Sequence, residues 1–217
     1  MNDNRKYKYN SKSESKRTEF TIIVNWIKKG SSVVDLGSGD GTLLKILKDN
    51  KKTDSFGIEI APSGVTAAKK KGIKTKAGRI DEKLPFKDKE FDYAICNVTL
   101  QMVMYPEILL SEMKRISKRQ IITFPNFAFL LNRLDLLING VMPRFMISTY
   151  KWYSTGHIHQ LSIKDFEIFC KTNGFKVLNT NHIGPGRFLH LPSDPLIKIA
   201  PNLFASMGVY LLEEDKK

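Results

Sequence analysis

The 217-residue sequence has only two cysteines, Cys96 and Cys170, and no apolar run near the length of a membrane-spanning helix. Each cysteine lies inside an apolar stretch, which is typical of a small core side chain. No secretory apolar segment is visible, so the sequence predicts a cytoplasmic protein in a reducing compartment. No set of His, Cys and carboxylate residues has the spacing of a zinc site, so no metal is expected.

Acidic residues are also scarce. The sequence has 22 Asp and Glu but 35 Lys and Arg, which gives a net charge of +13. Such an excess suits a nucleic-acid-binding protein. However, the basic residues are spread along the chain in short groups, and the one triplet, Lys69–Lys71, lies where a helix is predicted to end. We therefore favour a solvated, lysine-rich surface, and neither nucleic acid nor a membrane is expected as a partner.

Residues 1–17 are basic and hydrophilic, which predicts a mobile tail, and residues 18–217 are predicted to form one domain. Apolar strands and amphipathic helices alternate along this domain. Seven strands are predicted, at residues 32–36, 55–60, 73–77, 91–96, 120–124, 175–180 and 208–212. The alternation predicts an α/β fold with a mostly parallel sheet and helices on both faces.

Residues 127–161 do not fit this alternation. The segment is long and rich in aromatic and aliphatic residues, and it follows the fifth predicted strand directly. Segments of this kind inside a compact domain commonly serve as lids or binding elements. We therefore predict an inserted lid that contacts a substrate or a partner.

The most informative stretch is Val33-Val-Asp-Leu-Gly-Ser-Gly-Asp-Gly41, where a strand is followed by three glycines and then a helix. Glycines allow a tight turn and a close approach of the backbone to a ligand. Two acids, Asp35 and Asp40, would repel a dinucleotide pyrophosphate but attract a cationic ligand. The loop therefore predicts a site for S-adenosylmethionine, with contacts from Asp35, Gly37, Ser38, Gly39, Asp40 and Gly41.

Two later strand ends extend this predicted site. Glu59, with Ile60 beside it, lies almost 20 residues beyond Gly41, where an acid can accept both hydroxyls of a ribose. After the third strand, Ile80 could pack on the adenine and Asp81 could bind its amino group. Arg79 stands where an acid is most expected, which weakens the assignment to adenine.

With these residues assembled, the chain resembles the class I methyltransferase superfamily, whose fold is Rossmann-like, and within it the MetW family of methionine biosynthesis proteins. The superfamily resemblance rests on residues 33–41, Glu59 and residues 91–96. The narrower resemblance covers about residues 20–213 and rests on short motifs: Asn97-Val-Thr-Leu-Gln101, Phe124-Pro-Asn-Phe127, Asn132-Arg-Leu134, Gly140-x-Met-Pro143, Lys151-Trp-Tyr-Ser-Thr155, His157-Ile-His159, residues 163–167, residues 201–203 and residues 209–212.

The resemblance implies a protein that binds S-adenosylmethionine, or its product S-adenosylhomocysteine, and acts in bacterial methionine biosynthesis beside a homoserine O-acyltransferase. It implies a methyltransferase-like fold, which does not by itself establish that a methyl group is transferred. A small-molecule substrate is expected if turnover occurs.

Five residues are candidates for contact with that substrate. Asn97 and Asn126 follow the fourth and fifth strands, at the sheet edge where ligands bind, although capping of the strand ends explains them equally well. Asn97 is also expected to contact the cofactor. His157 and His159 alternate and could share one face as base or orienting group. Tyr153 lies in the predicted lid and is more typical of lid packing than of catalysis.

Three other functions compete with the MetW interpretation. The first is methylation of a small molecule in another pathway, and the second is a protein whose cofactor pocket only regulates a partner enzyme. The third is an RNA methyltransferase, which the net charge favours. The sequence after the fourth strand, Asn97-Val-Thr-Leu100, lacks the Pro-Pro-aromatic run of base-amine methyltransferases, so this third alternative is weaker.

Overall fold

The computed structural model describes residues 17–143, 156–185 and 193–216. The strands are β1 (Ser32–Leu36), β2 (Asp54–Glu59), β3 (Lys74–Ala77), β4 (Phe91–Asn97), β5 (Ser117–Pro125), β6 (Phe175–Ile183) and β7 (Met207–Glu214). The helices are α1 (Thr18–Trp26), α2 (Thr42–Lys51), α3 (Pro62–Lys70), α4 (Pro106–Ile116), α5 (Leu130–Asn139), α6 (Ile163–Thr172), α7 (Ser193–Ile199) and α8 (Pro201–Phe204), with a 3₁₀ turn at Leu100–Met102.

The seven strands form one sheet in the order β3-β2-β1-β4-β5-β7-β6. All neighbouring pairs are parallel except those of β7, which runs antiparallel to both β5 and β6. The chain moves outward from β1 in one direction and from β4 in the other. The predicted α/β fold with a mostly parallel sheet is therefore confirmed, and its topological switch point lies between β1 and β4.

Alternate residues of the central strands enter two separate hydrophobic clusters, because successive side chains of a strand point to opposite faces. Val33, Ile95 and Ile121 pack on one face with α1 and α2, whereas Val34 and Ile122 pack on the other with α4 and α6. Both faces of the sheet are thus covered, which explains why the central strands read as continuous apolar runs.

Several helix ends follow local signals in the sequence. Pro62 and Pro106 occupy the first turns of α3 and α4, where their missing N–H costs nothing. Ser162 and Asp165 form a complete capping box at the start of α6. Within the described ranges, no helix is both long and apolar enough to cross a membrane.

The segment 127–161, which interrupts the predicted alternation, contains helix α5 near its start. The sequence analysis did not identify this helix. Phe127 and Phe129, just before it, are buried, and Asn132 is its one fully buried residue. Leu137 and Ile138 are 81% and 72% exposed. The role of the segment as a lid stays a prediction, and residues 144–155 of it lie outside the described part of the chain.

Gly208 in β7 offers a test of the packing between β7 and β5. A Cβ at this position would lie 2.9 Å from Cε2 of Tyr210 and 3.1 Å from Cζ of Phe124, two fully buried rings. Tyr210 is also held by a hydrogen bond of 3.0 Å from its hydroxyl to Glu167. We expect Gly208→Ala to lower the free energy of unfolding by about 1–3 kcal/mol in urea denaturation.

Gly78 is the matched control, since a Cβ there would meet only Ile58 at an ordinary 3.6 Å. We expect Gly78→Ala to leave the free energy of unfolding within about 1 kcal/mol of wild type. Equal effects of the two substitutions would contradict the packing described for β7.

Candidate functional site

The candidate site lies at the carboxyl ends of β1, β2 and β4, beside the topological switch point. The loop after β1 turns sharply, and Gly37, Gly39 and Gly41 have φ values of 85°, 55° and 74°. Gly37 also lies against Thr99, because a Cβ at Gly37 would be 2.6 Å from the Thr99 methyl carbon. Glycine is therefore required at Gly37 both by the backbone conformation and by the close contact.

Glu59 holds this loop from the end of β2. Its Oε2 accepts a hydrogen bond of 2.8 Å from the Gly39 N–H, and its Oε1 accepts one of 2.8 Å from Ala61. The Glu59 side chain is buried, and the neighbouring Ile60 is exposed. Each carboxylate oxygen keeps a second lone pair, so the contacts of Glu59 with the loop are compatible with its predicted role at a ribose.

Asp35, at the end of β1, is buried without a hydrogen bond to its Oδ1 from the described residues. Burial, and secondarily the charge of Glu59, raises the pKa of Asp35 from 3.8 to about 7. The hydroxyl of Ser38 is also buried without a described partner. Buried polar atoms of this kind are commonly completed by a ligand or by water.

Asp40 is engaged differently, although it belongs to the same loop. Its Oδ1 accepts hydrogen bonds of 3.0 and 2.7 Å from the N–H and hydroxyl of Thr42, and its Oδ2 pairs with Lys71. Burial opposes ionisation, but these contacts outweigh it and lower the pKa of Asp40. The carboxylate therefore ties the loop to α2 and to the end of α3, and its predicted contact with a cofactor stays a prediction.

The residues after β3 form a second small network. Arg79, which stands where an acid was expected, donates a hydrogen bond of 2.8 Å to Oδ2 of Asp81. The same oxygen accepts from the N–H groups of Met104 and Tyr105, at 3.0 and 3.3 Å. Ile80 between them is buried in the core. Asp81 thus anchors the chain after the 3₁₀ turn, and no observation tests its predicted role at adenine.

Asn97, the last residue of β4, is joined to the glycine loop through Thr99. The Thr99 hydroxyl donates to the Asn97 carbonyl at 3.1 Å, while the Thr99 side chain contacts Gly37. On its other side, Asn97 Oδ1 accepts a hydrogen bond of 2.6 Å from the hydroxyl of Thr123. The sequence analysis did not identify Thr99, Thr123 or Lys71, since no local pattern marks contacts between residues so far apart in the chain.

Asn126 is fully buried and its amide is bonded to the backbone. Its Nδ2 donates to the carbonyls of Asn202 and Ala205 at 3.1 and 2.8 Å, and its Oδ1 accepts from Ala128. These contacts match the strand-end capping that the sequence left as an equal alternative to a catalytic role. Catalysis by Asn126 stays a prediction.

The two histidines lie near each other in the chain but make different contacts. The ring centroids of His157 and Phe127 are 5.8 Å apart. Nε2 of His159 lies 3.4 Å from the carbonyl oxygen of Met104. The N–H groups of Ile158 and His159 both bond to the carbonyl of Gln101, so this strip lies against the 3₁₀ turn. Tyr153, the remaining candidate, lies outside the described residues.

A large cavity of about 980 Å³ lies at the opposite, amino-terminal edge of the sheet. Half of its 14 lining residues are lysine or arginine, but three of these are paired with acids: Lys89 with Glu214, Lys118 with Asp92, and Lys176 with Glu213. Mixed charge with internal pairing is typical of a solvated surface, so this cavity does not mark the chemistry at the glycine loop.

The chain matches the family model for "Methionine biosynthesis protein MetW" over residues 17–212. The chain belongs to the MetW family. The resemblance inferred from the motifs is therefore confirmed over nearly the whole sequence, including the segment after β5.

Two relatives are similar to this MetW-family chain in sequence, and one solved structure is similar to it in fold. It is 37% identical over 131 residues to the bifunctional methionine biosynthesis protein MetXA/MetW of Rhodopirellula baltica, covering 56% of this chain and 21% of that protein. It is 30% identical over 192 residues to an uncharacterised protein of Methanocaldococcus jannaschii, covering 88% and 72%. A SAM-dependent methyltransferase from Archaeoglobus fulgidus superposes with a TM-score of 0.66 at 15% identity, covering 94% and 95%.

The chain thus spans about a fifth of the length of the bifunctional relative, while the structural likeness extends over a whole methyltransferase chain. At 15% identity this likeness shows the fold alone. The sheet order and the position of the glycine loop belong to the Rossmann-like methyltransferase fold that the sequence predicted.

The raised pKa of Asp35 predicts that ionisation of this carboxyl group lowers the free energy of unfolding. Because its pKa is 3.8 unfolded and about 7 folded, the folded state binds the proton more tightly, and stability from this group falls as pH rises from about 4 to 7. We expect Asp35→Asn to raise the free energy of unfolding at pH 8 by on the order of 1–4 kcal/mol, and by less at pH 5, in urea titrations.

Asp92 provides a control of opposite sign. Hydrogen bonds from Lys118 and from the Ser32 backbone lower its pKa, so its ionised form stabilises the folded state above pH 4. Asp92→Asn should therefore destabilise the protein at pH 8. If Asp35→Asn also destabilised at pH 8, the carboxylate of Asp35 would not carry the predicted cost.

Proposed function

We propose that this MetW-family protein binds S-adenosylmethionine, or S-adenosylhomocysteine, at the glycine loop and acts in methionine biosynthesis together with a homoserine O-acyltransferase. The single observation that carries the cofactor proposal is the buried Asp35 carboxylate at the switch point, with one oxygen unpaired among the described residues and a pKa raised to about 7. A cationic ligand group would stabilise the ionised form of this carboxylate.

The residues around the loop fit the parts of such a cofactor. Asp35 would bind its ammonium group, the lone pairs left on Glu59 would accept its ribose hydroxyls, and Ile80 would pack near its adenine. Asp81 accepts hydrogen bonds from the N–H groups of Met104 and Tyr105. It would therefore contribute to the cofactor site indirectly, by fixing the backbone at these two residues. When bound, the cofactor would supply an electrophilic methyl group on its sulfonium, with a neutral thioether as the leaving group.

The partner proposal has a different support. In the Rhodopirellula baltica relative, MetXA and MetW are parts of one bifunctional protein, so the two functions are physically linked there. A covalent link raises the effective concentration of one module beside the other, which is an advantage where they interact. We infer that this chain contacts its acyltransferase directly.

The described residues favour positioning over acid–base chemistry at the site. Among the candidates, Asn97 is linked to the glycine loop, while Asn126 is bonded to the backbone of the α8 region. Methyl transfer from a sulfonium depends on alignment of the reacting atoms more than on proton transfer. A regulatory protein that senses the cofactor would need the same pocket, so binding and turnover require separate measurements.

Calorimetry with S-adenosylhomocysteine tests the cofactor proposal. We expect wild-type protein to bind with a dissociation constant in the micromolar range, roughly −8 kcal/mol. Gly39→Val should abolish binding, because Gly39 has a φ of 55° and its N–H is bonded to Glu59. Glu59→Ala should weaken binding by about 1–3 kcal/mol, since the ribose hydroxyls would lose the carboxylate that accepts from them.

Gly72→Val is the matched control for backbone strain. Gly72 has a φ of 72°, and a Cβ there would meet nothing within 4 Å, so the substitution imposes a similar strain away from the loop. Its affinity should stay within a few-fold of wild type. No heat with wild-type protein at millimolar ligand would refute the cofactor proposal.

Co-purification with the homoserine O-acyltransferase of the same cell tests the partner proposal. We expect retention of the acyltransferase by the wild-type protein, and a change in its acyltransferase activity when S-adenosylmethionine is added. Gly39→Val should retain the partner but lose the response to S-adenosylmethionine, because only its cofactor loop is altered. Absence of retention and of any effect on acyltransferase activity would leave methylation of a small molecule in another pathway as the better interpretation.

A further inference from the structure

Thr123 and Asn97 lie opposite each other on β5 and β4, at the edge of the sheet that carries the glycine loop. Thr123 is completely buried, and its hydroxyl makes two contacts. It accepts a hydrogen bond of 3.0 Å from the Val98 N–H and donates one of 2.6 Å to Oδ1 of Asn97. The Val98 N–H also lies 3.0 Å from the Thr123 carbonyl.

These contacts determine which way the amide of Asn97 faces. A hydroxyl has one proton, and the Val98 N–H already uses Thr123 as an acceptor. If the amide were reversed, its NH₂ group would point at the hydroxyl, and the buried proton of Thr123 would find no acceptor among the described residues. Such a buried unsatisfied group costs roughly 1–3 kcal/mol. The oxygen of Asn97 therefore faces Thr123, and its NH₂ group faces away from β5.

The same residues connect Asn97 to the glycine loop. Val98 has a φ of 56°, a left-handed conformation that is costly for a β-branched residue, and this turn brings Thr99 against Gly37. No partner for the Asn97 NH₂ group is found within the described ranges. A half-buried hydrogen-bond donor is thus fixed on β4, one strand away from the Asp35 carboxylate on β1.

We propose that the Asn97 NH₂ group donates to the carboxylate of the cofactor's amino-acid end, and that Thr123 is the positioning residue that imposes this polarity. The inference rests on the proposed function, in which S-adenosylhomocysteine or its methylated form occupies the loop. An amino acid carries an ammonium and a carboxylate close together. Asp35 on β1 supplies the acceptor for the first, and Asn97 on β4 supplies the donor for the second.

Binding of S-adenosylhomocysteine to four variants tests this assignment. Thr123→Val keeps the shape but removes the hydroxyl, and we expect its affinity to fall by about tenfold, the scale of one hydrogen bond to a charged group. Thr123→Ser keeps the hydroxyl and should bind within about threefold of wild type. Asn97→Asp should bind more weakly than Asn97→Ala, because a second carboxylate would repel that of the ligand.

A ligand lacking the carboxylate provides the second arm. For decarboxylated S-adenosylhomocysteine, wild type and Thr123→Val should bind equally well, whereas a merely structural effect of the substitution would weaken both ligands alike. Thermal melting of each variant shows whether it is folded, and the comparison of Asn97→Asp with Asn97→Ala does not depend on Thr123→Val folding.

Three results would overturn the inference. They are equal binding of S-adenosylhomocysteine by wild type and Thr123→Val, tighter binding by Asn97→Asp than by Asn97→Ala, and an equal loss for both ligands in Thr123→Val. Absence of binding by the wild-type protein would refute the proposed cofactor and this inference together. Binding by wild type that none of the variants alters would refute the inference alone.

Discussion

Two buried carboxylates, Asp35 and Glu59, end neighbouring parallel strands, and the geometry of the candidate site depends on how differently they are bonded. Each carboxylate oxygen of Glu59 accepts a hydrogen bond from a backbone N–H group, one from Gly39 and one from Ala61, and these bonds fix the turn of the glycine loop. Asp35 has no such support for its Oδ1 among the described residues. The fold therefore carries an electrostatic cost at Asp35 that a cationic ligand would remove, a common exchange of stability for binding.

This attraction is local, because the protein as a whole is strongly positive. A net charge of +13 repels a cation at long range, but exposed charges are screened beyond about 8 Å at physiological salt. Within the site, Asp35 and Glu59 are buried acids, whereas the acid Asp40 is paired with Lys71. The paired lysines at the amino-terminal edge of the sheet lie at the opposite end of the strands and leave this balance unchanged.

The strands and the glycine loop could be predicted from the sequence, whereas the contacts between distant residues could not. Strands buried on both faces give short apolar runs, and the glycines lie together in the chain, so both signals are local. Helix α5 was missed because residues such as Leu137 and Ile138 are exposed, so its apolar residues do not mark one buried face. Hydrogen bonds such as Thr123 to Asn97 join residues 26 positions apart, and no single-sequence pattern encodes them.

The position of β7 has a consequence for how the chain acquires this structure during synthesis. β7 lies between β5 and β6 although it follows both in the sequence, and among the described strands β6 pairs only with β7. Until residues 207–214 have left the ribosome, β5 keeps an unpaired edge on the side that β7 will occupy. An open edge on an apolar strand is a site for aggregation, so we expect the nascent chain to be prone to aggregation until β7 has paired with β5.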